Sequence, residues 1–200
     1  MESLSYLLLT LNDIYDMSLK LSHLIKRKLS KVDSIVAISK GGLIVARLLA
    51  DFLAVKYLYT IQIRFYQATG ETNKKPELLQ PLYTALRHRT ALVVDDVSDT
   101  GSTLKLAYSH VRERIPVVYT ATLFIKPWTK FIPDFYLKTT DKWIIFPHEY
   151  AEFVREAIFY FKKRGWSLNR ILQWLKIHCG FKEETLMKVL EIVDLDHANM

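Results

Sequence analysis

Three aspartates lie within five residues of one another at Asp95, Asp96 and Asp99, and the segment Thr100–Thr103 follows them directly. Neighbouring carboxylates can accept hydrogen bonds from a vicinal diol, and they are also ligands that Mg²⁺ favours. A hydroxyl-rich turn at the start of a helix can bind an anion, because the helix dipole is positive there and the backbone N–H groups of residues 99–103 are expected to point outward without partners. This stretch therefore combines groups for a diol or a cation with a site for a phosphate.

The turn itself has the composition of an anion site. Gly101 lets the backbone approach an anion closely, and Thr100, Ser102 and Thr103 add hydroxyl donors. Because the aspartates repel a phosphate, they must bind something beside it. A sugar phosphate meets both requirements, with its phosphate in the turn and its ribose hydroxyls on the acids. The competing interpretation is an aspartate-rich turn that only caps a helix, which accounts for one aspartate better than for three.

These residues need strands and helices to position them. Short apolar runs rich in β-branched residues predict buried strands, and helically spaced stretches between them predict helices. The expected strands are residues 34–39, 57–65, 90–96 and 117–125, and the expected helices are residues 43–53 and 102–114. This alternation predicts an α/β fold with a mostly parallel sheet flanked by helices. Ligands bind at the carboxyl edge of such sheets, where the aspartates follow the third expected strand.

Both ends of the chain are expected to be helical. Residues 4–29 have apolar positions at helical spacing, which predicts an amphipathic helix, with Asn12–Asp13 as a candidate break in it. From Pro147 onward three amphipathic segments predict a small bundle, with Ser167 as a helix cap. We therefore expect a core with an N-terminal helix at residues 1–147 and a three-helix bundle packed on it at residues 148–200.

The segment at residues 66–89 differs from its surroundings. It is polar, contains two prolines and lacks a clear period, so it predicts a long loop. Long loops within compact domains often close over an active site. The other interpretation is an exposed surface loop that does not close over an active site.

Composition excludes several classes of protein. The single cysteine, Cys179, rules out a disulfide framework and a zinc site built on cysteines, and a buried packing role is expected for it. No apolar run approaches the ~20 residues needed to span a bilayer. The N-terminus also lacks a signal-peptide pattern. We therefore expect a soluble, cytoplasmic protein without a membrane partner.

The net charge of +7 is unevenly distributed, since residues 151–200 carry eight basic and seven acidic residues. The excess in residues 1–150 can steer an anionic ligand toward the site, or it can simply be a solvated basic surface. The C-terminal segments loosely resemble a helix-turn-helix. Because DNA binding requires phosphate neutralisation and this region is close to neutral, a nucleic acid partner is not expected.

The stretch VVDDVSDTGSTL at residues 93–104 resembles the phosphoribosyl diphosphate (PRPP) motif of type I phosphoribosyltransferases. The resemblance implies that Asp95 and Asp96 hold the ribose hydroxyls and that Thr100–Thr103 hold the 5′-phosphate. It also implies that Asp99 acts beside purine N7, as proton acceptor or hydrogen-bond partner. Mg²⁺ is the implied cofactor, bound through PRPP, with Asp95 as a candidate ligand.

A second segment resembles the pyrophosphate loop of the same family. The segment is SKGG at residues 39–42, after the first expected strand. It implies that Ser39, Lys40 and Gly41 bind pyrophosphate and that the Ser39–Lys40 peptide bond is cis. The resemblance covers about residues 30–147, and the long polar segment falls where the family has its mobile lid.

Two more segments resemble the family's base site. FIKP at residues 124–127 implies that Lys126 reaches the purine O6. TDKWIIFP at residues 140–147 implies that Trp143 stacks on the base and that the backbone near Ile144 reads the base edge. Taken alone, Lys126 could be a surface lysine and Trp143 a core residue, whereas their order after the PRPP motif favours the base site.

The resemblance implies a homodimeric purine-salvage enzyme that makes a purine nucleoside 5′-monophosphate and pyrophosphate from PRPP and a free purine base. Asp99 and Lys126 fit a 6-oxopurine enzyme, because an ammonium only donates hydrogen bonds and so suits O6 rather than a 6-amino group. The helical extension instead resembles that of archaeal adenine phosphoribosyltransferases. On that ground adenine, giving AMP, is the favoured base, and hypoxanthine, guanine and xanthine are the alternatives.

A second alternative is a non-catalytic regulator that senses PRPP and binds nucleic acid. Such a protein keeps the PRPP motif but loses the residues of the base site. The presence of both Lys126 and Trp143 favours an enzyme.

Overall fold

The computed structural model describes residue 1 and residues 4–66, 75–82 and 88–193. Its strands are β1 (Tyr6–Leu8), β2 (Ser34–Ser39), β3 (Tyr57–Tyr66), β4 (Lys75–Gln80), β5 (Thr90–Val94), β6 (Val97–Ser98), β7 (Val117–Ala121), β8 (Phe124–Ile125), β9 (Lys138–Thr139) and β10 (Trp143–Ile145). Its α-helices are α1 (Leu11–Lys28), α2 (Gly42–Phe52), α3 (Ser102–Arg112), α4 (Tyr150–Lys162), α5 (Leu168–Cys179) and α6 (Glu183–Ile192). A 3₁₀ turn at Pro147–Glu149 precedes α4.

The chain divides into two compact units, residues 14–141 and residues 1–13 with 142–200. The first unit is built on a sheet whose described strands run in the order β4-β3-β2-β5-β7. β2, β3, β5 and β7 are parallel, as predicted, and β4 is antiparallel to β3. β2 and β5 are buried along nearly their whole length. Because these two strands are parallel neighbours, the loops that follow them emerge at the same edge of the sheet.

A second, smaller sheet in this unit has the parallel order β6-β8-β9. The predicted strand at residues 117–125 is wrong as one element, because the chain leaves the main sheet after Ala121 and re-forms as β8. The break is stabilised by main-chain bonds, from Asp95 N to Ala121 O at 3.1 Å and from Leu123 N to Asp96 O at 3.0 Å. The predicted strand at residues 90–96 likewise ends at Val94, which leaves both aspartates in the loop beyond it.

The predicted long loop at residues 66–89 is wrong over part of its length. Lys75–Gln80 form β4, whose residues pair with the edge of β3, for example Glu77 with Arg64. Pro76 and Pro81 made this segment resemble a loop. A proline is compatible with an edge strand, however, because an edge strand has a neighbour on one side only. Residues 67–74 and 83–87 of the predicted loop lie outside the described residues.

The second unit contains a parallel strand pair that the sequence did not predict. Tyr6 of β1 lies opposite Trp143 of β10, so the predicted helix at residues 4–29 is wrong over its first residues. α1 begins at Leu11 instead. The side chain of Thr10 accepts a bond from Asp13 N at 3.2 Å, and Asp13 Oδ2 accepts one from Thr10 N at 2.8 Å, which caps the start of the helix.

The predicted three-helix bundle is confirmed in α4, α5 and α6, which share an apolar cluster. Its buried members include Phe161, Leu175 and Leu186, and Tyr6 packs against it. Ser167 caps α5 as predicted, with its side chain accepting from Arg170 N. Strand β1 and the helices thus share one core, while the domain boundary predicted at residue 147 remains a prediction.

Cys179 ends α5 and is buried in the same cluster, as expected of a packing residue. Burial raises the pKa of its thiol to about 12. None of the helices in the described part of the chain is long and apolar enough to cross a lipid bilayer.

Candidate functional site

The two adjacent aspartates lie at the carboxyl end of β5 and are almost fully buried. Asp95 is 8% exposed and Asp96 is 6% exposed. The Oδ1 atom of Asp95 accepts from Asp96 N at 3.0 Å, and that of Asp96 accepts from Val97 N at 2.7 Å. These bonds fix the orientation of both carboxylates. A buried pair of oriented acids suits a diol or a cation better than it suits the capping of a helix.

Two glycines bring the loop after β2 against these acids. A Cβ on Gly41 would lie 2.5 Å from Asp96 Oδ2, and a Cβ on Gly42 would lie 2.4 Å from Val94 O and 2.9 Å from Asp95 Cα. The atoms that a Cβ on Gly42 would meet belong to the backbone and cannot rotate away, so glycine is required there for the close approach of α2 to β5. The predicted pyrophosphate loop and the predicted ribose site are therefore adjacent. Gly42 was not among the predicted site residues.

The remaining residues of the loop after β2 have distinct surroundings. The Ser39–Lys40 peptide bond is cis, as the resemblance implies. Ser39 Oγ donates to Ile61 O at 3.0 Å, which ties the end of β2 to β3. Lys40 is exposed. A cation at this position can approach an anion in the loop. The Ser39 hydroxyl is bonded to the backbone of β3.

The predicted anion turn lies at the start of α3. Gly101 has a left-handed backbone conformation with φ 83°, and a Cβ there would lie 2.6 Å from Phe131 N. The expectation that every N–H of the turn faces outward unpaired is wrong for Ser102, whose N–H donates to Thr100 Oγ1 at 3.3 Å. Thr103 lies in the first turn of the helix, where backbone N–H groups and the helix dipole favour an anion.

Lys126 directly follows β8 and lies beside the end of β6, because these two strands are neighbours in the small sheet. Lys126 N donates to Ser98 O at 3.0 Å, and the side chain is only 7% exposed. Burial lowers the pKa of Lys126, and the carboxylates of Asp99 and Asp141 oppose this effect. Lys126 is therefore not a surface lysine. The negative charge of Asp99 stabilises its ammonium. Asp99 itself is exposed.

Trp128 is a residue of this site that the sequence did not single out. Its indole Nε1 donates to Asp99 Oδ1 at 2.8 Å, and Lys126 Nζ lies 5.6 Å from the centre of its ring. The side chain is 53% exposed. In the sequence, Trp128 is notable only for lying two residues after Lys126. That spacing does not indicate a contact between Trp128 and Asp99.

The predicted base-stacking residues lie in the other unit. Trp143 is the first residue of β10, and its side chain is 52% exposed, so it is not a core residue. Trp143 N donates to Ser5 O at 2.9 Å, and Ile144, which is buried, pairs with Leu7. The backbone of this strand is thus held by β1, and the stacking of a base on the Trp143 ring remains a prediction.

Replacing Trp143 with alanine is expected to weaken purine affinity by about 1–3 kcal/mol, the usual contribution of stacking on an aromatic ring. Because the ring is half exposed, folding stability should change little. Titration calorimetry with a purine nucleoside monophosphate measures the affinity. Trp143→Phe keeps a ring and should retain most of it, and an unchanged affinity in the alanine variant would contradict the stacking role.

Comparison with known proteins places the chain in a family. The sequence profile described as "Phosphoribosyl transferase domain" matches residues 10–152, more than half of the chain. The xanthine-guanine phosphoribosyltransferase of Gluconobacter oxydans is 32% identical over 119 residues, which cover 58% of this chain and 68% of that protein. The enzyme of the same name from Nitratidesulfovibrio vulgaris is 34% identical over 115 residues, which cover 56% and 66%. The match thus spans about two thirds of these relatives.

A solved structure is also similar. The crystal structure of a purine phosphoribosyltransferase from Pyrococcus horikoshii aligns with a TM-score of 0.64 at 32% identity, covering 72% of this chain and 93% of that chain. Helices α5 and α6 lie beyond the residues that the family profile matches.

Proposed function

The chain belongs to the phosphoribosyltransferase family, and on that premise we propose that it transfers the phosphoribosyl group of PRPP to a 6-oxopurine base. The products are a 6-oxopurine nucleoside 5′-monophosphate and pyrophosphate. Asp95 and Asp96 bind the ribose hydroxyls, Thr100–Thr103 bind the 5′-phosphate, and the loop after β2 binds the pyrophosphate group.

The observation that carries the choice of base is that the buried residue Lys126 and the Asp99 carboxylate both contact the indole of Trp128. An ammonium has three donors and no acceptor, so it can bond to O6 but not to the amino hydrogens of adenine. A carboxylate only accepts, so Asp99 suits a protonated N7. O6 and N7 are adjacent on one edge of a 6-oxopurine, and Lys126 and Asp99 together offer complementary partners for that edge.

The proposed reaction is a displacement at C1′ of the ribose. Purine N9 donates its lone pair to C1′, and the bond from C1′ to pyrophosphate breaks with its electrons going to the leaving group. The proton on N7 passes to Asp99, and the electrons of that N–H bond return to the ring. Positive charge develops on the ribose, near the carboxylates of Asp95 and Asp96, where it is stabilised electrostatically.

The residues present also fit a magnesium ion. Mg²⁺ favours carboxylate oxygens, and Asp95 and Asp96 supply two oriented carboxylates at the edge of the sheet. When bound with PRPP, the ion would neutralise charge on the leaving pyrophosphate. The homodimer and the cytoplasmic location remain predictions.

Adenine was favoured on the resemblance of the helical extension. The relatives named above are xanthine-guanine enzymes, and the similar solved structure is described only as a purine enzyme. The preference for adenine therefore has no support among these relatives, and the chemistry of Lys126 supports a 6-oxopurine.

The test is pyrophosphate release from PRPP and Mg²⁺ with adenine, hypoxanthine, guanine or xanthine supplied separately. We expect turnover with one or more 6-oxopurines and little with adenine. Turnover with adenine alone would contradict the proposal. PRPP binding without turnover on any base would support the regulator instead.

The same turnover experiment with the variant Lys126→Met tests the proposed contact between Lys126 and O6. A hydrogen bond to a charged group contributes about 1.5–3 kcal/mol, so kcat/KM with the preferred 6-oxopurine should fall about 10- to 100-fold. The matched control is Lys188→Met, since Lys188 is an exposed residue of α6 paired with Glu184. An equal loss in both variants would show that Lys126 does not read O6.

A further inference from the structure

Trp128 contacts both residues that are proposed to read the edge of the base. Its indole N–H donates to Asp99 at 2.8 Å, and its ring centre lies 5.6 Å from the ammonium of Lys126. The second distance is within the range of a cation–π interaction. Trp128 is more than half exposed, so packing of its ring contributes little to folding stability. Its contacts with Asp99 and Lys126 are therefore the main interactions that its position provides.

The segment that carries Trp128 is held against the PRPP loop on both sides of the indole. On one side, Lys126 N donates to Ser98 O at 3.0 Å, and on the other, Lys130 N donates to Thr100 O at 3.0 Å. Thr129 N also donates to Lys126 O at 3.0 Å, closing a turn around Trp128. These backbone bonds therefore hold the segment that carries Trp128 beside the loop that contains Asp99.

Side-chain bonds add to this arrangement. Ser98 Oγ lies 3.0 Å from Thr129 Oγ1 and donates to Phe131 O at 3.1 Å. The segment after Lys126 and the loop before Gly101 are thus joined at several points. Movement of Trp128 away from Asp99 would require a rotation of its side chain and not a displacement of the backbone.

An indole N–H can only donate, so it must use an acceptor site on Asp99. It occupies Oδ1 and leaves Oδ2 to accept the proton from the base. An exposed aspartate without such a bond samples several rotamers. A proton acceptor has to be oriented, because a misplacement of about 1 Å in an active site can cost 10²-fold in rate.

We infer that Trp128 is a positioning residue, which holds the Asp99 carboxylate in the orientation for proton transfer from N7 and holds the Lys126 ammonium beside it. This inference rests on the proposed function. Trp128 does not touch the reacting atoms in this scheme; it acts through Asp99 and Lys126. It is therefore expected to affect kcat more than the KM for PRPP.

The test is a double-mutant cycle with Trp128→Phe and Asp99→Ala. Phenylalanine keeps an aromatic ring near Lys126 and removes the N–H donor. We expect Trp128→Phe to lower kcat with a 6-oxopurine about tenfold, a fraction of the 10²–10⁴ that a proton acceptor contributes. In the Asp99→Ala background the same change should cost less than about twofold, because residues in direct contact are energetically coupled.

Trp166→Phe is the matched control. Trp166 stacks on Phe161 with ring centres 4.3 Å apart, in the unit that lacks Asp99, and its replacement should leave kcat within about twofold, as for residues without a shared partner. Equal losses from Trp128→Phe in both backgrounds would overturn the inference. So would an unchanged kcat in the single variant.

The contact itself can be measured without turnover. In an NMR spectrum of the indole N–H groups, the resonance that disappears in Trp128→Phe belongs to Trp128. We expect Asp99→Ala to shift that resonance and to leave the resonance of Trp166 in place. An unshifted Trp128 resonance would overturn the inference even if the enzyme is active. If Asp99→Ala shifts the Trp128 resonance as expected but the unmodified protein turns over none of the bases, the proposed function is contradicted and the contact is not.

Discussion

Replacing Asp99 with asparagine is expected to lower kcat by about 10²- to 10⁴-fold, the range contributed by a positioned proton acceptor. Asparagine has nearly the same shape and can still accept the indole bond of Trp128. It cannot take the proton from N7, so the base must lose that proton to water or retain a positive charge. The KM for PRPP should change little, because the contacts proposed for the ribose and the phosphate come from Asp95, Asp96 and Thr100–Thr103 and not from Asp99.

Steady-state kinetics with varied PRPP, together with PRPP binding measured by calorimetry, separate the two effects. Asp51→Asn is a suitable control, since Asp51 is an exposed residue near the end of α2. If turnover and PRPP affinity fell to the same extent in Asp99→Asn, Asp99 would be positioning the substrate and not accepting the proton.

Replacing Gly42 with alanine is expected to lower kcat/KM for PRPP about 100-fold, because a displacement of about 1 Å in an active site can have that effect. The added Cβ would lie 2.4 Å from Val94 O and 2.9 Å from Asp95 Cα. Both are backbone atoms at the end of β5, so no side-chain rotation relieves the overlap. The start of α2 and the end of β5 must separate, which moves the proposed pyrophosphate loop away from the proposed ribose site.

The control for this variant is another glycine-to-alanine change that lacks the overlap. Gly165 has φ +77°, and a Cβ added there would meet no atom within 4 Å, so Gly165→Ala should cost about 1–2 kcal/mol of folding stability through backbone strain alone. Gly42→Ala should lower stability by about 1–3 kcal/mol through overpacking. Thermal unfolding and turnover are measured on both. Normal kcat/KM in Gly42→Ala would show that this close approach does not position Asp95.

Local patterns predicted the elements that carry the PRPP-like loop. The runs SIVAIS and ALVV became β2 and β5 because β-branched residues on both faces suit a buried parallel strand. Ser167 could be predicted as a helix cap because capping is a local interaction. Its side chain accepts a bond from Arg170, only three positions away. In each case the stabilising partner is close in the sequence, or the burial is encoded in the run itself.

Elements stabilised by remote partners were missed or misassigned. β1 is three residues long and pairs with β10, which lies more than 130 positions further along the chain. Nothing in the composition of β1 itself distinguishes it from the helix that follows. β4 depends on the free edge of β3 and contains a proline. The strand predicted at residues 117–125 is interrupted because Ala121 and Leu123 form hydrogen bonds with the main chain of Asp95 and Asp96.

The sequence by itself determined the family-like order of motifs, the α/β fold and the roles to be tested at Asp95, Asp96 and Asp99. These follow from residue types at fixed spacing, which the chain carries whatever its tertiary contacts. Only the tertiary structure decided that Lys126 is buried and that Trp128 contacts both its ammonium and the Asp99 carboxylate. The contact with Asp99 joins residues nearly thirty positions apart, and it exists because β6 and β8 lie side by side in one small sheet.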